Sequence, residues 1–365
     1  MGKGELKEKI ISGIQQIGIG VGNLREAWRW YREHFGMDIR VFEENAIADL
    51  MLPYTGGQPQ DRHAALAINL QGGGGFEIWQ YTKRKPVPPK NKVHLGDLGI
   101  NAAKIKTTDI EKSYRYFKER NLTVNGLSSD PAGAKHFFVL DPYDNLFQVV
   151  TDNSIFRNEK KLTGATFGAW IGVTDISQAR KLYSDILGYD TVIYDEEGTF
   201  EDLKYLRGGE HSIRRVLLKH SKSWRGGFSR LFGPSQIELV EAKDRNPSKI
   251  YEGRQWGDLG FIHLCYDIKG MDALRRECVE KGFPFTVDST HKHNNTFDMG
   301  EAAGHFSYVE DPDGTLIEFV ETHKMPISKN LGLYINLRKR NPEKPLANWM
   351  LKALKFNRIK DKDVS

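Results

Sequence analysis

Two stretches, GDLGIN at 96–101 and GDLGFIH at 257–263, open on the same tetrapeptide and then diverge. Counted the same distance on, the second reaches His263 and the first reaches Ala102. The pair is one of four ordered matches. GIGVGNLREAWRWYREHFGMD (18–38) resembles WIGVTDISQARKLYSDILGYD (170–190) at an offset of 152. FEIWQ (76–80) resembles IELVE (237–241) at 161, the offset of the tetrapeptide itself. VLDPYDNLFQVV (139–150) resembles VEDPDGTLIEFV (309–320) at 170. So regular a drift describes an internal duplication whose second copy has gained about nine residues twice.

Each copy divides again. AWIGV alternates as a strand and leads into TDISQARKLYSDILG, an amphipathic helix that Asp175 is placed to cap and Gly188 to stop. Three short strands follow. HLCYDI then leads into a second helix, MDALRRECVEKG, and three more strands end in LIEFVE. The unit is β-α-β-β-β, present four times.

At 365 residues the chain can build two domains of ordinary size. No apolar run approaches the length of a membrane span, and the charged start MGKGELKEKI is no secretory signal. It lacks the Ser or Thr of a myristoylation signal at position 6. Cys265 and Cys278 form neither a disulfide framework nor a metal-type spacing, so a cytoplasmic protein is expected. The net charge of +5 comes from the tail. Residues 324–365 hold eleven Lys and Arg against three Asp and Glu, and the rest of the chain is net negative. The body therefore shows no broad basic surface, and nucleic acid is not an expected partner.

The strand-then-TDI..A..LY...LGY pattern and DPDG.LIEFV resemble the vicinal oxygen chelate superfamily, which includes glyoxalase I, methylmalonyl-CoA epimerase, extradiol dioxygenases and bleomycin-resistance proteins. The resemblance covers about residues 13–325. It implies an α+β fold of four βαβββ modules forming two tandem glyoxalase-like open barrels. The expected domains are 13–155 and 156–325, followed by a basic tail, 326–365, with a short helix.

The resemblance also implies up to four ligand positions per barrel, on the first and last strands of each module. By register these are Gly168, Glu238, His263 and Glu318 in the second copy, and Gln16, Glu77, Ala102 and Gln148 in the first. Strand alternation agrees. Leu264, Tyr266 and Ile268 share one face and His263, Cys265 and Asp267 the other, while Glu238 and Glu318 are each flanked by apolar residues. Carboxylates so placed are costly to bury unpaired, and a divalent cation would neutralise them and accept the imidazole. That donor set suits Zn, Fe(II), Mn, Ni or Co. A single Glu or His in a strand is more often a half-exposed surface residue; the register is what singles out Glu238, His263 and Glu318 as the metal set. Glu238 and Glu318 are also the candidate proton carriers. The first copy keeps only Glu77, so domain one is expected to be metal-free and Glu77 a vestige. Gly168, where the resemblance implies a histidine, leaves a position open for water or substrate, or for one of the loop histidines to fill.

Tyr308, ten residues before Glu318, faces the cup by alternation, at a spacing where extradiol dioxygenases carry a substrate-orienting Tyr. As a strand residue it is as readily plain pocket lining. Tyr308 and His305 are the candidate acid–base groups by reach. Both gains of chain fall in the second copy. LKHSKSWRGGFSRLFGP (218–234) is rich in basic and aromatic residues, and DSTHKHNNTFDMGEAAGH (288–305) holds His291, His293 and His305. Such loops commonly sit over the mouth of a cup, and the basic one hints at an anionic small-molecule substrate. As plain surface loops they would carry no such meaning. QGGGG (71–75) is no phosphate loop, because it lacks the Gly-Lys-Ser/Thr ending. In the tail, Leu346, Trp349, Met350, Leu354 and Phe356 suggest one apolar helix face, for packing on the body or on a second subunit rather than on a membrane.

Three functions are consistent with these residues. The first is a metal-dependent lyase or isomerase of glyoxalase or epimerase type. The second is an Fe(II) ring-cleaving dioxygenase, weakened by Gly168. The third is a metal-free binding protein of bleomycin-resistance type, weakened by the surviving Glu-His-Glu positions.

Overall fold

The computed structural model describes residues 6–290, 297–299, 302–328, 333–338, 340–360 and 363. His291 and His293 lie outside them. The first module comprises β1 (Ile10–Gly20), α1 (Leu24–Phe35), β2 (Ile39–Ala48), β3 (Gln60–Ile68) and β4 (Gly75–Tyr81). The second comprises β5 (Gly99–Thr107), α2 (Ile110–Glu119), β6 (Ser128–Ser129), β7 (Lys135–Leu140) and β8 (Leu146–Thr151). In the third, β9 (Thr166–Gly172), α3 (Ile176–Tyr183), β10 (Thr191–Gly198) and β11 (Ile213–Lys219) lead through α4 (Ser229–Phe232) to β12 (Gln236–Ala242). The fourth runs β13 (Gly260–Lys269), α5 (Met271–Glu280), β14 (Val287–Asp288), β15 (Phe297–Met299), β16 (Ala302–Glu310) and β17 (Leu316–Ser328). After it come β18 (Leu333–Asn336) and α6 (Asn348–Lys352).

The helix ends follow local chemistry. Asn23, Asp109 and Asp175 cap α1, α2 and α3 through side-chain oxygens that accept from backbone N–H groups of the first turn. Gly36 closes α1 in the left-handed conformation. α5 has no capping side chain at Gly270; Glu321 of β17 instead accepts from the N–H groups of Gly270 (3.2 Å) and Met271 (2.8 Å).

The strands form two curled sheets, and their composition departs from the expected pairing of neighbouring modules. The ten-stranded sheet runs β14-β16-β17-β13-β1-β4-β3-β2, with β15 on β16 and β18 on β17. The eight-stranded sheet runs β10-β11-β12-β9-β5-β8-β7-β6. The first module thus shares a cup with the fourth, and the second with the third. The seams are antiparallel: β1 on β13, with Gly18 opposite His263, and β5 on β9, with Lys104 opposite Gly168. Alternation gives all four modules the same apolar and cup faces, so the pattern suits either pairing.

The repeated GDLG holds this exchange together. Asp258 is fully buried and accepts from Arg84 (2.8 Å) and Val87 N (2.8 Å), in the linker between the first two modules. Asp97 accepts from Arg245 (2.7 Å) and Ser248 N (3.0 Å), in the linker between the last two. Each copy of the tetrapeptide clasps the linker of the other half.

One large core cluster draws on all four modules, including Trp28, Phe117, Tyr183 and Leu274 from the four main helices. The tail packs back on the body, as expected, but not along one continuous face. Leu346, Leu351 and Leu354 are buried, whereas Trp349 and Phe356 are exposed. Among the described residues no helix is long and apolar enough to cross a membrane.

Candidate metal centre

Four adjacent strands of the ten-stranded sheet, β17, β13, β1 and β4, each send one polar side chain into the cup. On β13, Leu264 and Tyr266 join the core and His263 faces the other way. On β17 and β4 the flanking Ile317 and Phe319, and Phe76 and Ile78, do the same for Glu318 and Glu77. On β1, Ile17 is in the core and Gln16 faces the cup. All four side chains are buried.

They converge. His263 Nε2 lies 3.0 Å from Glu318 Oε2 and 3.3 Å from Glu77 Oε2. One donor atom from each of these three residues falls within 4.8 Å of the other two. Gln16 Nε2 is 3.3 Å from Glu77 Oε2 and 3.4 Å from Glu318 Oε2. Neither carboxylate meets His263 Nε2 along its N–H direction, and both ring nitrogens and Gln16 Oε1 are left without hydrogen-bond partners. A buried imidazole so placed is poorly satisfied as a proton donor and well placed to give a lone pair to a cation. Rotating the Gln16 amide by half a turn, an exchange of nearly equivalent shapes, would turn its orphaned oxygen toward the same point. One nitrogen, two carboxylates and an amide oxygen fit a divalent ion of the Zn, Mn, Ni, Co or Fe(II) kind.

Without an ion the two carboxylates favour the protonated imidazole, and a bound cation would have to displace that proton. Burial alone would lower the His263 pKa, but Glu318 and Glu77 outweigh it and raise it to about 9. Burial pushes the Glu318 carboxyl up, and His263 overrides this to hold it below the usual carboxylate range. Trp256 stacks near His263 at 6.3 Å between ring centroids and 10° between planes, and Tyr308 meets the imidazole edge-on at 5.6 Å. Burial, then the carboxylates of Glu318 and Glu77, drive the Tyr308 phenol well above its usual pKa.

The structure brings together two members of the expected set, His263 and Glu318, and separates the third. Glu238 lies on β12 in the eight-stranded sheet, fully buried. There Lys104 Nζ lies 2.7 Å from its Oε2, Arg215 Nε 2.8 Å from its Oε1, and the Tyr194 hydroxyl donates to Oε1 at 2.6 Å. Burial would raise the Glu238 carboxyl, but Arg215 and Lys104 hold it below the usual range. Two protein cations stand where that cup would hold an ion. At Gly168 the backbone leaves no room for a side chain: a Cβ there would lie 1.7 Å from the Gln236 carbonyl oxygen. Glu77, taken in the sequence as a vestige, replaces Glu238 beside His263.

Tyr308 lies in the cup, opposite Glu318 across the β16–β17 ladder. His305, three residues away, faces the other side of the strand. Its ring lies 4.7 Å from that of His323, and it stands opposite Glu321. It is not brought to the group. The sequence missed the pairing of modules; once β1 is set beside β13, the register already names Gln16 and Glu77.

A model of the glyoxalase/bleomycin resistance protein/dioxygenase superfamily matches residues 13–149, and a second model of the same description matches 169–300. The chain belongs to this superfamily. No curated protein matches it. Among solved structures, a dioxygenase-like protein from Bacillus subtilis is 12% identical with a TM-score of 0.55, covering 86% of each chain. Glyoxalase I from Zea mays is 14% identical with a TM-score of 0.50, covering 86% of this chain and 92% of that one. At such identities the likeness is one of fold.

Proposed function

We propose that the chain is a metal-dependent enzyme of lyase or isomerase type, acting on a small substrate with two adjacent oxygens through a single centre at Glu77, His263 and Glu318, with Gln16 beside them. The observation that carries this reading is the convergence of two carboxylates on a buried imidazole whose ring nitrogens make no aligned hydrogen bond, beside an open cavity and with no Lys or Arg among the three. The Glu-His-Glu residues would hold the ion, whose Lewis acidity would stabilise an oxyanion on the substrate.

This chain's own groups then divide the work. Glu77 and Glu318 both border the cavity, so either carboxylate can take a proton from the carbon beside a carbonyl and return it. Tyr308, kept protonated by its surroundings, offers a hydroxyl donor to one substrate oxygen. Trp256 and Tyr308 fix the imidazole plane and exclude water from one side. The eight-stranded sheet has its own cations on Glu238 and serves as scaffold.

The ring-cleaving dioxygenase is the second reading, supported by Tyr308 beside the group. One experiment separates them. The protein, supplied in turn with Zn, Ni, Co, Mn or Fe(II), is incubated anaerobically in D2O with an α-hydroxyketone. Metal-dependent deuterium incorporation next to the carbonyl is the expected result. No exchange with any ion, together with oxygen uptake on a catechol with Fe(II), would replace the first reading by the second.

A further inference from the structure

A cavity of about 140 Å³ opens beside the metal group, bordered on that side by Gln16, Glu77, Tyr308 and Glu318. Its remaining wall is mostly apolar; β2, β3 and their connection build most of it, and two segments outside the repeated strand framework complete it. From the inserted loop 218–234, Phe228, Leu231 and Phe232 of α4 and its approach face inward. From the tail comes Leu354, packed in one cluster with those three and with Met325. The basic residues of the loop do not line the cavity; Arg225 faces out to Glu343 at 3.3 Å. Among the described lining residues the one cation is Arg62, and Glu44 at 2.6 Å already neutralises it.

From this lining we infer that the substrate carries its two adjacent oxygens on an uncharged, apolar body of roughly one ring or a short alkyl chain, and not on an anionic carrier. The inference rests on the proposed metal centre for the position of the oxygens. The apolar wall stands independently of it. It replaces the anionic substrate that the loop's composition suggests. Away from the centre, an anionic group would meet an apolar wall, the carboxylates of Glu44 and Asp49, and an Arg62 already paired with Glu44, so its desolvation would find little return. The size follows from scale: an apolar cavity of about 150 Å³ accommodates benzene.

Two sets of probes, three hydroxamates and two phenols, test this by calorimetry on the full chain. Loaded with Ni(II), the protein is titrated with acetohydroxamate, hexanohydroxamate, and the six-carbon hydroxamate ending in a carboxylate. Affinity should rise roughly fourfold per methylene, so the hexano compound, four methylenes longer, should bind about two-hundredfold tighter than the aceto compound. The terminal carboxylate should cancel that gain. Leu231→Ala should weaken the hexano compound several-fold and leave the aceto compound unchanged. In chelator-treated protein, p-cresol should bind and 4-hydroxybenzoate should not. Hydroxamates of equal, metal-dependent affinity, or tightest binding of the carboxylate compound, would overturn the apolar substrate while sparing the metal centre. Hydroxamate binding that ignores the metal, with cresol still preferred, would overturn the metal centre while sparing the apolar body.

Discussion

His263 Nε2 stands 3.3 Å from Glu77 Oε2, although one belongs to the last module of the chain and the other to the first. The contact exists because β1 lies between β4 and β13 in one sheet. It makes each half of the duplication dependent on the other for the candidate centre.

The seam itself should be sensitive. A Cβ on Gly18 would fall 2.4 Å from Cε1 and 2.8 Å from Nε2 of the His263 ring. The ring is buried under Trp256 and Tyr308 and cannot swing away freely. Gly18→Ala is expected to cost about 1–3 kcal/mol of stability and to lower metal affinity at least about tenfold while leaving far-UV circular dichroism unchanged. Calorimetric titration with Zn or Ni gives the affinity.

Glu238 should matter for stability and not for metal. Glu238→Ala would leave Lys104 and Arg215 buried without their shared carboxylate, a loss of roughly 3–5 kcal/mol. Urea unfolding measures it. Metal content per folded chain should not change. In Lys104→Met the Glu238 carboxylate keeps Arg215, so the loss should be smaller than in Glu238→Ala.

Glu321 gives a pH signature. Burial would raise its pKa, but His323, Lys269 and the Met271 N–H together lower it to about 2. Lys269 Nζ is 2.6 Å away and His323 Nε2 3.6 Å, and the neighbouring Asp267 carboxyl is pushed up to about 7, chiefly by burial. A carboxylate with a depressed folded pKa stabilises above its unfolded value of about 4.5 and loses that contribution as pH falls toward about 2. Wild type should therefore exceed Glu321→Gln by roughly 3 kcal/mol at pH 6, and the gap should narrow below pH 4.5. Denaturant unfolding at both pH values measures the gap.

Much of this architecture is legible in the sequence, and the illegible part has a physical cause. The four modules, the Asp175 cap and the inward register of His263 and Glu318 follow from local periodicity and capping. Module pairing is a long-range choice among faces that look alike, and alternation carries no information on it. Glu238 and Glu77 sit at equivalent register positions with equal apolar flanks; only the neighbour across the seam distinguishes them. For Glu238 that neighbour is β5, which brings Lys104, and for Glu77 it is β13, which brings His263. His305 was placed by reach alone, whereas its three-residue separation from Tyr308 puts the two on opposite faces of β16.

The central claim is that one ion sits between Glu77, His263 and Glu318. Elemental analysis of protein purified without chelators tests it most directly, on wild type, Glu77→Gln and Glu238→Gln, each corrected for folded fraction. The expected result is about one divalent ion per chain in wild type and in Glu238→Gln, with little or none in Glu77→Gln. A wild-type protein that holds no ion, or one whose ion survives Glu77→Gln and is lost in Glu238→Gln, would contradict the account.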